Sequence, residues 1–150
     1  MTSFGWTLRP ATADDHDFIV DVNRAAMGPY LGATFGWNEA KQSVCFDEGF
    51  DPSGGQVIQV DGVDVGELLV EVRPHELVVA RLALLPDWQG RGIGSAIVRK
   101  LVERARELES ALVLRVFKTN PRAARLYESL GFVRTGESAT DVSMRLEPKL

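Results

Sequence analysis

Between Leu84 and Val98 the chain reads LLPDWQGRGIGSAIV. An apolar run, a proline, glycines at positions 90, 92 and 94, and a second apolar run follow in order. Glycine is the poorest ordinary helix former, so three of them where a helix should begin imply a use other than helix stability. A strand that leads through a glycine loop into a helix makes an anion site. The helix start offers N–H groups without partners and the positive end of its dipole, and glycines let a ligand come close to the main chain. The chemistry that fits is phosphate or diphosphate binding. A P-loop is excluded, because no Lys-Ser or Lys-Thr follows the glycines. The G-x-G-x-x-G dinucleotide fingerprint is excluded too: from Gly90 its last position is Ser95, and from Gly92 it is Ile97. What remains is Q-x-x-G-x-G, met by Gln89, Gly92 and Gly94. A turn that serves only close packing is the plain alternative.

The elements that must position this loop follow from periodicity and breakers. WTLR (6–9) reads as a first strand, and residues 10–27 as a helix with Phe18, Val22, Ala25 and Ala26 at helical spacing. Thr12 and Asp15 form a capping box with Asp in place of Glu. The glycines and proline of GPYLGATFG end that helix, and a second helix covers 37–48. Two β-rich runs joined by Asp61-Gly62 make a hairpin. LVVARLALL (77–85) is apolar at nearly every residue, which predicts a central strand buried on both faces, ended by Pro86. A helix over 91–108 follows, with Ile93, Ile97, Leu101, Val102, Ala105 and Leu108 on one face. Residues 111–117 form a strand. NPRAARLYESLG is a helix with Asn120 as N-cap, Pro121 at its first position and Gly131 past its end. FVRTGES and DVSMRLE close the chain as a hairpin. The predicted class is a single α/β domain over 1–150, with a mixed sheet flanked by helices.

Composition narrows the partners. The chain has 150 residues, 21 acidic and 17 basic, for a net charge of −4, which argues against nucleic acid. No apolar run reaches the roughly 18 to 20 residues that cross a bilayer, so no membrane association is expected. The N-terminus carries no charged start followed by an apolar stretch, and Cys45 alone excludes an internal disulfide. The expected compartment is the cytoplasm. No cluster has metal-ligand spacing, so no metal is expected. The sequence identifies no catalytic partner for His16 or His75, and Asp14, Asp15, Asp47 and Glu48 read as surface or capping acids.

Two blocks resemble the GNAT N-acetyltransferase superfamily. LALLPDWQGRGIGSAI is similar to the family's acetyl-CoA motif on its fourth strand and following helix. NPRAARLYESLGF is similar to its N-x-x-A-x-x-[LF]-Y-x-x-x-G-F signature, through Asn120, Ala123, Leu126, Tyr127, Gly131 and Phe132. The likeness runs over residues 6 to 147. It implies a mostly antiparallel sheet with a splayed central strand, where the main chain near Leu84 and Leu85 pairs with the pantetheine arm of acetyl-CoA. The amides of Gln89, Gly90, Arg91, Gly92, Ile93, Gly94 and Ser95 would hold the diphosphate. Arg91 would add a charge or be a surface arginine, and Asn120 and Ala123 would also face the cofactor.

The implied reaction is transfer of an acetyl group from acetyl-CoA to a primary amine of a small molecule or peptide, by direct attack in a ternary complex. The alternative is a CoA-binding sensor or degenerate module without turnover. A homodimer is frequent in such a family. Tyr127 is the expected general acid: a phenol with pKa near 10 is protonated at pH 7, and a thiolate of pKa about 8.5 can take its proton as charge shifts. A main-chain N–H near Leu84 or Leu85 is the expected oxyanion donor. The amine needs a base, since deprotonating an ammonium of pKa about 10.4 at pH 7 costs about 4 to 5 kcal/mol. The family's usual glutamate falls at Val78, a departure from the pattern. Glu67, Glu71 and Glu76 are near in sequence. Strand alternation puts Glu67 and Glu71 on one face, either solvated or, for Glu67, as the base acting through water. Tyr30, Phe35 and Trp37 are expected to wall the acceptor pocket, with core packing as the alternative.

Overall fold

The structure, a computed structural model, describes residues 5–35 and 55–148, with side chains for 5–26 and 55–148. The strands are β1 (Trp6–Pro10), β2 (Gly55–Val60), β3 (Val63–Arg73), β4 (Glu76–Leu84), β5 (Ala111–Phe117), β6 (Val133–Glu137) and β7 (Asp141–Leu146). Three α-helices are described: α1 (His16–Phe35), α2 (Ile93–Glu107) and α3 (Pro121–Ser129). Among the pairings, β4 with β5 is parallel and β1–β2, β2–β3, β5–β7 and β6–β7 are antiparallel. This is the mixed, mostly antiparallel class read from the sequence. Two compact units divide the chain, 1–69 with 81–96 and 70–80 with 97–150, and β3, β4 and α2 contribute residues to both.

In the first unit the strand order is β1-β2-β3-β4. Asp61 and Gly62 both take positive φ, 52° and 82°, as a two-residue turn between right-twisting strands requires. Gly66 on β3 tolerates no side chain: a Cβ there would sit 2.3 Å from the carbonyl oxygen of Ala83 on β4. That close approach holds the end of β4 against β3, where the Leu85 N–H donates to the Val65 carbonyl at 2.8 Å. Helix α1 lays Val22 and Ala26 against Ala83, with Phe18 and Leu85 beside them.

Two expectations about α1 fail. The buried positions are Ile19, Val20, Val22, Asn23 and Ala26, whereas Ala25 is exposed. The helix also runs on through Gly28, Pro29 and Gly32 to Phe35. Proline removes one main-chain bond and crowds the preceding turn, so local rules treat it as a stop. Tertiary context overrides such propensities. The helix expected over 37–48, with Cys45, Asp47 and Glu48, lies outside the described residues.

In the second unit the order is β3-β4-β5-β7-β6. Leu77, Leu112, Leu114 and Met144 are buried, as are Ile97, Leu101 and Ala105 of α2. Val98 joins them, but Leu108 is 50% exposed. The expectation that β4 is sealed on both faces does not hold: Leu77 and Ala83 are buried, while Val78 is half-buried and Ala80 exposed. A continuous apolar run shows that a strand is central in its sheet. It does not show that both faces are covered.

The capping box lies on a short 3-10 turn, Ala13–Asp15, ahead of α1. Asp15 accepts from the Thr12 N–H at 2.8 Å and from both guanidinium ends of Arg9, at 2.7 and 2.9 Å, while Arg9 also reaches Asp64 at 3.1 Å. The Arg9 pair, with the Thr12 bond added, lowers the Asp15 pKa from 3.8 to about 2. A lowered folded-state pKa stabilises above the unfolded value and is lost as pH falls through the folded one. Arg9 is a third exposed, so solvent screening reduces the contribution to about 1 to 2 kcal/mol. Asp15→Asn should therefore lose that much stability at pH 7 in urea unfolding. Its stability should also change less between pH 4 and pH 2 than the wild type's.

Candidate active site

Two of the three loop glycines are explained by backbone conformation. Gly90 and Gly92 have φ of +73° and +85°, where L side chains are strained, and no atom of the described residues lies within 4 Å of a Cβ built on either. Both precede the helix, which begins at Ile93 and not at residue 91. Gly94 alone lies in the first turn, in ordinary contact with Leu84 at 3.8 Å. The first helical bond runs from the Ala96 N–H to the Gly92 carbonyl, 3.0 Å. The N–H groups of Ile93, Gly94 and Ser95 therefore have no intrahelical acceptor. Glycines without neighbours and three free amides at a dipole's positive end fit a diphosphate. Arg91 donates through Nε to the Asp87 carbonyl at 2.8 Å and stacks its guanidinium 5.0 Å from the Trp88 ring centre, so its head is already engaged.

The end of β4 narrows one expectation. The Leu85 N–H is taken by Val65, so it is not open to a ligand. Main-chain groups alternate sides along a strand, which turns the Leu84 N–H and C=O toward the opposite edge. On that side the ladder with β5 comprises Glu76–Ala111, Leu77–Leu112 and Val78–Val113. The Leu84 carbonyl accepts from the Gln89 side-chain amide at 2.9 Å. This gives Gln89 a local role: it ties the loop to the strand it follows.

Glu67 is wholly buried, so the solvated-face reading fails for it. Its Oε1 accepts from Asn23 Nδ2 at 2.7 Å and Arg81 Nε at 2.8 Å, whereas Oε2 has no hydrogen-bond partner among the described residues. Asn23 also donates to the Ile19 carbonyl, which fixes its amide. Sequence reading missed both partners. The signals were an asparagine on the apolar stripe of α1 and an arginine inside the apolar run of β4, since a buried polar group needs a partner.

In the second unit Asn120 caps α3, accepting from the Ala123 N–H at 3.3 Å. At the other end the Phe132 N–H reaches the Tyr127 carbonyl at 3.1 Å and the Gly131 N–H reaches the Glu128 carbonyl at 3.0 Å, with Gly131 at φ +103°. This is a Schellman cap, in which residues three before and two after the C-cap, Leu130, meet. The Tyr127 and Phe132 rings touch edge to face at 5.7 Å between centres. The Y-x-x-x-G-F spacing is thus a helix ending. Leu126 of the same signature is 37% exposed. Burial raises the Tyr127 pKa above 10, which keeps the phenol protonated at neutral pH.

The same unit holds a cavity of about 300 Å³ whose walls include Glu71, Glu76, Val78, Ala80, Arg115 and Ser143. Two of the three glutamates weighed as bases, Glu71 and Glu76, therefore flank Val78. Tyr30 and Phe35 fall on the backbone of α1 with side chains outside the described residues, and Trp37 lies outside them altogether. Among the described residues, no three acids, histidines or cysteines are placed to hold a metal ion, and no helix is long and apolar enough to cross a membrane.

A mostly antiparallel sheet with one short parallel ladder, followed by a glycine loop and helix start, defines an acetyltransferase fold. The PaiA N-acetyltransferase of Thermoplasma acidophilum, solved with coenzyme A, is similar at TM-score 0.79 and 14% identity, over 95% of this chain and 99% of that one. The ribosomal-protein-S18-alanine N-acetyltransferase of Escherichia coli is similar at 0.67 and 22%, over 97% and 95%. The Acetyltransferase (GNAT) family profile matches residues 19–132, and the chain belongs to that family. N-alpha-acetyltransferase RimI of Mycobacterium tuberculosis is 36% identical over 84 residues, which cover 56% of this chain and 50% of that protein. N-acetyltransferase 8 of Rattus norvegicus is 35% identical over 94 residues, 60% of this chain and 40% of that protein. The chain thus spans about half the length, or less, of these two relatives.

Removing one partner of a buried ion pair strands the other. Glu67→Ala should cost about 3 kcal/mol in urea unfolding, and Glu67→Gln, which keeps the volume and an acceptor for Asn23, about half as much. Equal, small losses for both variants would show that Arg81 and Asn23 do not depend on the carboxylate.

Proposed function

We propose that the protein is an N-acetyltransferase that moves the acetyl group of acetyl-CoA to a primary amine by direct attack in a ternary complex. The observation that carries this reading is the loop from Gln89 to Ser95, with two glycines at positive φ and three free helix-start amides, in a chain of the Acetyltransferase (GNAT) family. Two relatives named as N-acetyltransferases support the reaction class.

When bound, acetyl-CoA supplies a thioester whose acyl carbon an amine attacks. The amides from Gln89 to Ser95 hold its diphosphate. Leu84 offers its N–H where negative charge develops on the acyl oxygen, since donors aimed at developing charge lower the barrier most. Asn120 and Ala123 are assigned to the cofactor by family analogy. Tyr127 carries its proton on Oη at neutral pH and donates it to the departing sulfur. Glu67 acts as base through water, with Oε2 as the acceptor left open by Asn23 and Arg81. Tyr30, Phe35 and Trp37 remain assigned to the acceptor. One cysteine in the whole chain supports a cytoplasmic setting. The second reading, a CoA-binding module without turnover, is favoured by one observation, Val78 in place of the family's glutamate.

Thiol release from acetyl-CoA across a panel of primary amines, with product mass as readout, separates the two readings: turnover supports the enzyme, and binding without turnover supports the module. In that assay Tyr127→Phe should lower kcat about 100-fold with the KM for acetyl-CoA changed less than about threefold. Unchanged kcat removes Tyr127 from the mechanism. Glu67→Gln should abolish the acidic limb of the pH–rate profile; a superimposable profile rules Glu67 out as base.

A further inference from the structure

We propose that the side chains of Gln89 and Arg91 are positioning residues for the diphosphate: they cap the carbonyls that lead into the glycine loop and so build its cradle before any ligand arrives. This rests on the acetyltransferase reading, because it concerns the same loop.

An anion is attracted by main-chain N–H groups and repelled by carbonyl oxygens, and a stretch of chain carries both. Between Leu84 and Ser95 the two kinds of group are sorted. Four successive carbonyls, from Leu84 to Asp87, each accept a hydrogen bond from residue 88, 89 or 91. The Trp88 N–H donates to Leu85 at 2.8 Å and the Gln89 N–H to Pro86 at 3.2 Å. The other two donors are side chains: Gln89 Nε2 reaches the Leu84 carbonyl at 2.9 Å, and Arg91 Nε reaches the Asp87 carbonyl at 2.8 Å. Beyond the second glycine come the N–H groups of Ile93, Gly94 and Ser95, which have no intrahelical acceptor. Carbonyls that would repel an anion are thus occupied from within the loop, and the amides that attract one follow them.

The main-chain bonds alone close one 3-10 turn, Pro86–Trp88. The side chains carry the order further. Gln89 ties the turn back to the end of β4, and Arg91 folds over it with its guanidinium 5.0 Å from the centre of the Trp88 ring. Gly90 lies between these two residues and Gly92 just after them, both at positive φ. Glycine loses more freedom than any other residue when it is fixed, and no described atom lies near enough to pack against a Cβ at either position. The ties on either side of Gly90 are what hold this part of the chain. Leu84 closes the ring, since its carbonyl takes Gln89 while its Cδ1 is 3.8 Å from a Cβ built on Gly94 at the helix start. Every member lies in the first unit, within residues 81–96. A loop ordered beforehand avoids the loss of affinity that ordering on binding entails.

Nitrogen-15 relaxation on the full chain without ligand tests this directly. The backbone order parameters of Gly90, Arg91 and Gly92 should be about 0.85, as in rigid backbone, and should fall below about 0.6 in Gln89→Met and in Arg91→Lys. Methionine keeps the length of glutamine without a donor, and lysine keeps the charge of arginine without its planar stack or its Nε donor. Calorimetric titration with coenzyme A should show affinity lowered about fivefold in each variant, the effect of one hydrogen bond, with thermal melting unaltered. Order parameters below about 0.6 in the wild type, or unchanged in the variants, overturn the proposal. So does full affinity in Arg91→Lys, which would make Arg91 a charge for the diphosphate instead of a tie. If coenzyme A gives no heat with the wild type, the acetyltransferase reading fails separately, and the order parameters alone decide whether the two side chains build the loop.

Discussion

A buried or half-buried peptide group needs a hydrogen-bond partner, and the ladder between β4 and β5 supplies partners over three residue pairs, Glu76 to Val78 with Ala111 to Val113. Strand β4 nevertheless continues to Leu84. On its β3 side the demand is met through the contact that Gly66 permits, where Leu85 donates to Val65. On the other side the Leu84 carbonyl takes the Gln89 amide. A strand extended past its ladder is a standing requirement for a partner. The glycine loop follows directly after it, so backbone donors from the strand and from the helix start belong to one continuous stretch of chain.

The buried Glu67 is a second demand of the same kind. A carboxylate removed from water needs compensation, and Asn23 from α1 and Arg81 from β4 both converge on one oxygen. That triad joins a helix and two strands of the first unit. Its other oxygen has no hydrogen-bond partner among the described residues, so the carboxylate is anchored through one oxygen alone.

Much of this was legible because it is local. Asn120, Pro121 and Gly131 mark the ends of α3 through capping rules, and the structure adds the reason for the Tyr127 to Phe132 spacing, a Schellman cap with two touching rings. Asp61-Gly62 specifies its hairpin for the same reason: two residues at positive φ favour that dipeptide. Where reading failed, a distant neighbour decided. Helix α1 passes through Pro29 although local propensity says stop. Ala25 is exposed and Asn23 buried because of what α1 packs on, and Ala80 is exposed although the run around it is apolar.

The sequence by itself determined the order and kind of nearly every described element, the glycine loop with its helix, the caps of α3 and the family to which these blocks belong. Those features depend on φ/ψ preferences and on neighbours a few residues away, which a linear text records. The tertiary structure alone decided that Glu67 meets Asn23 and Arg81, that the Leu85 N–H is taken by Val65, and that Arg115 lies opposite Ser143. Each is a pairing across tens of residues, set by strand register and by which face a helix presents. Neither leaves a periodic mark in the chain.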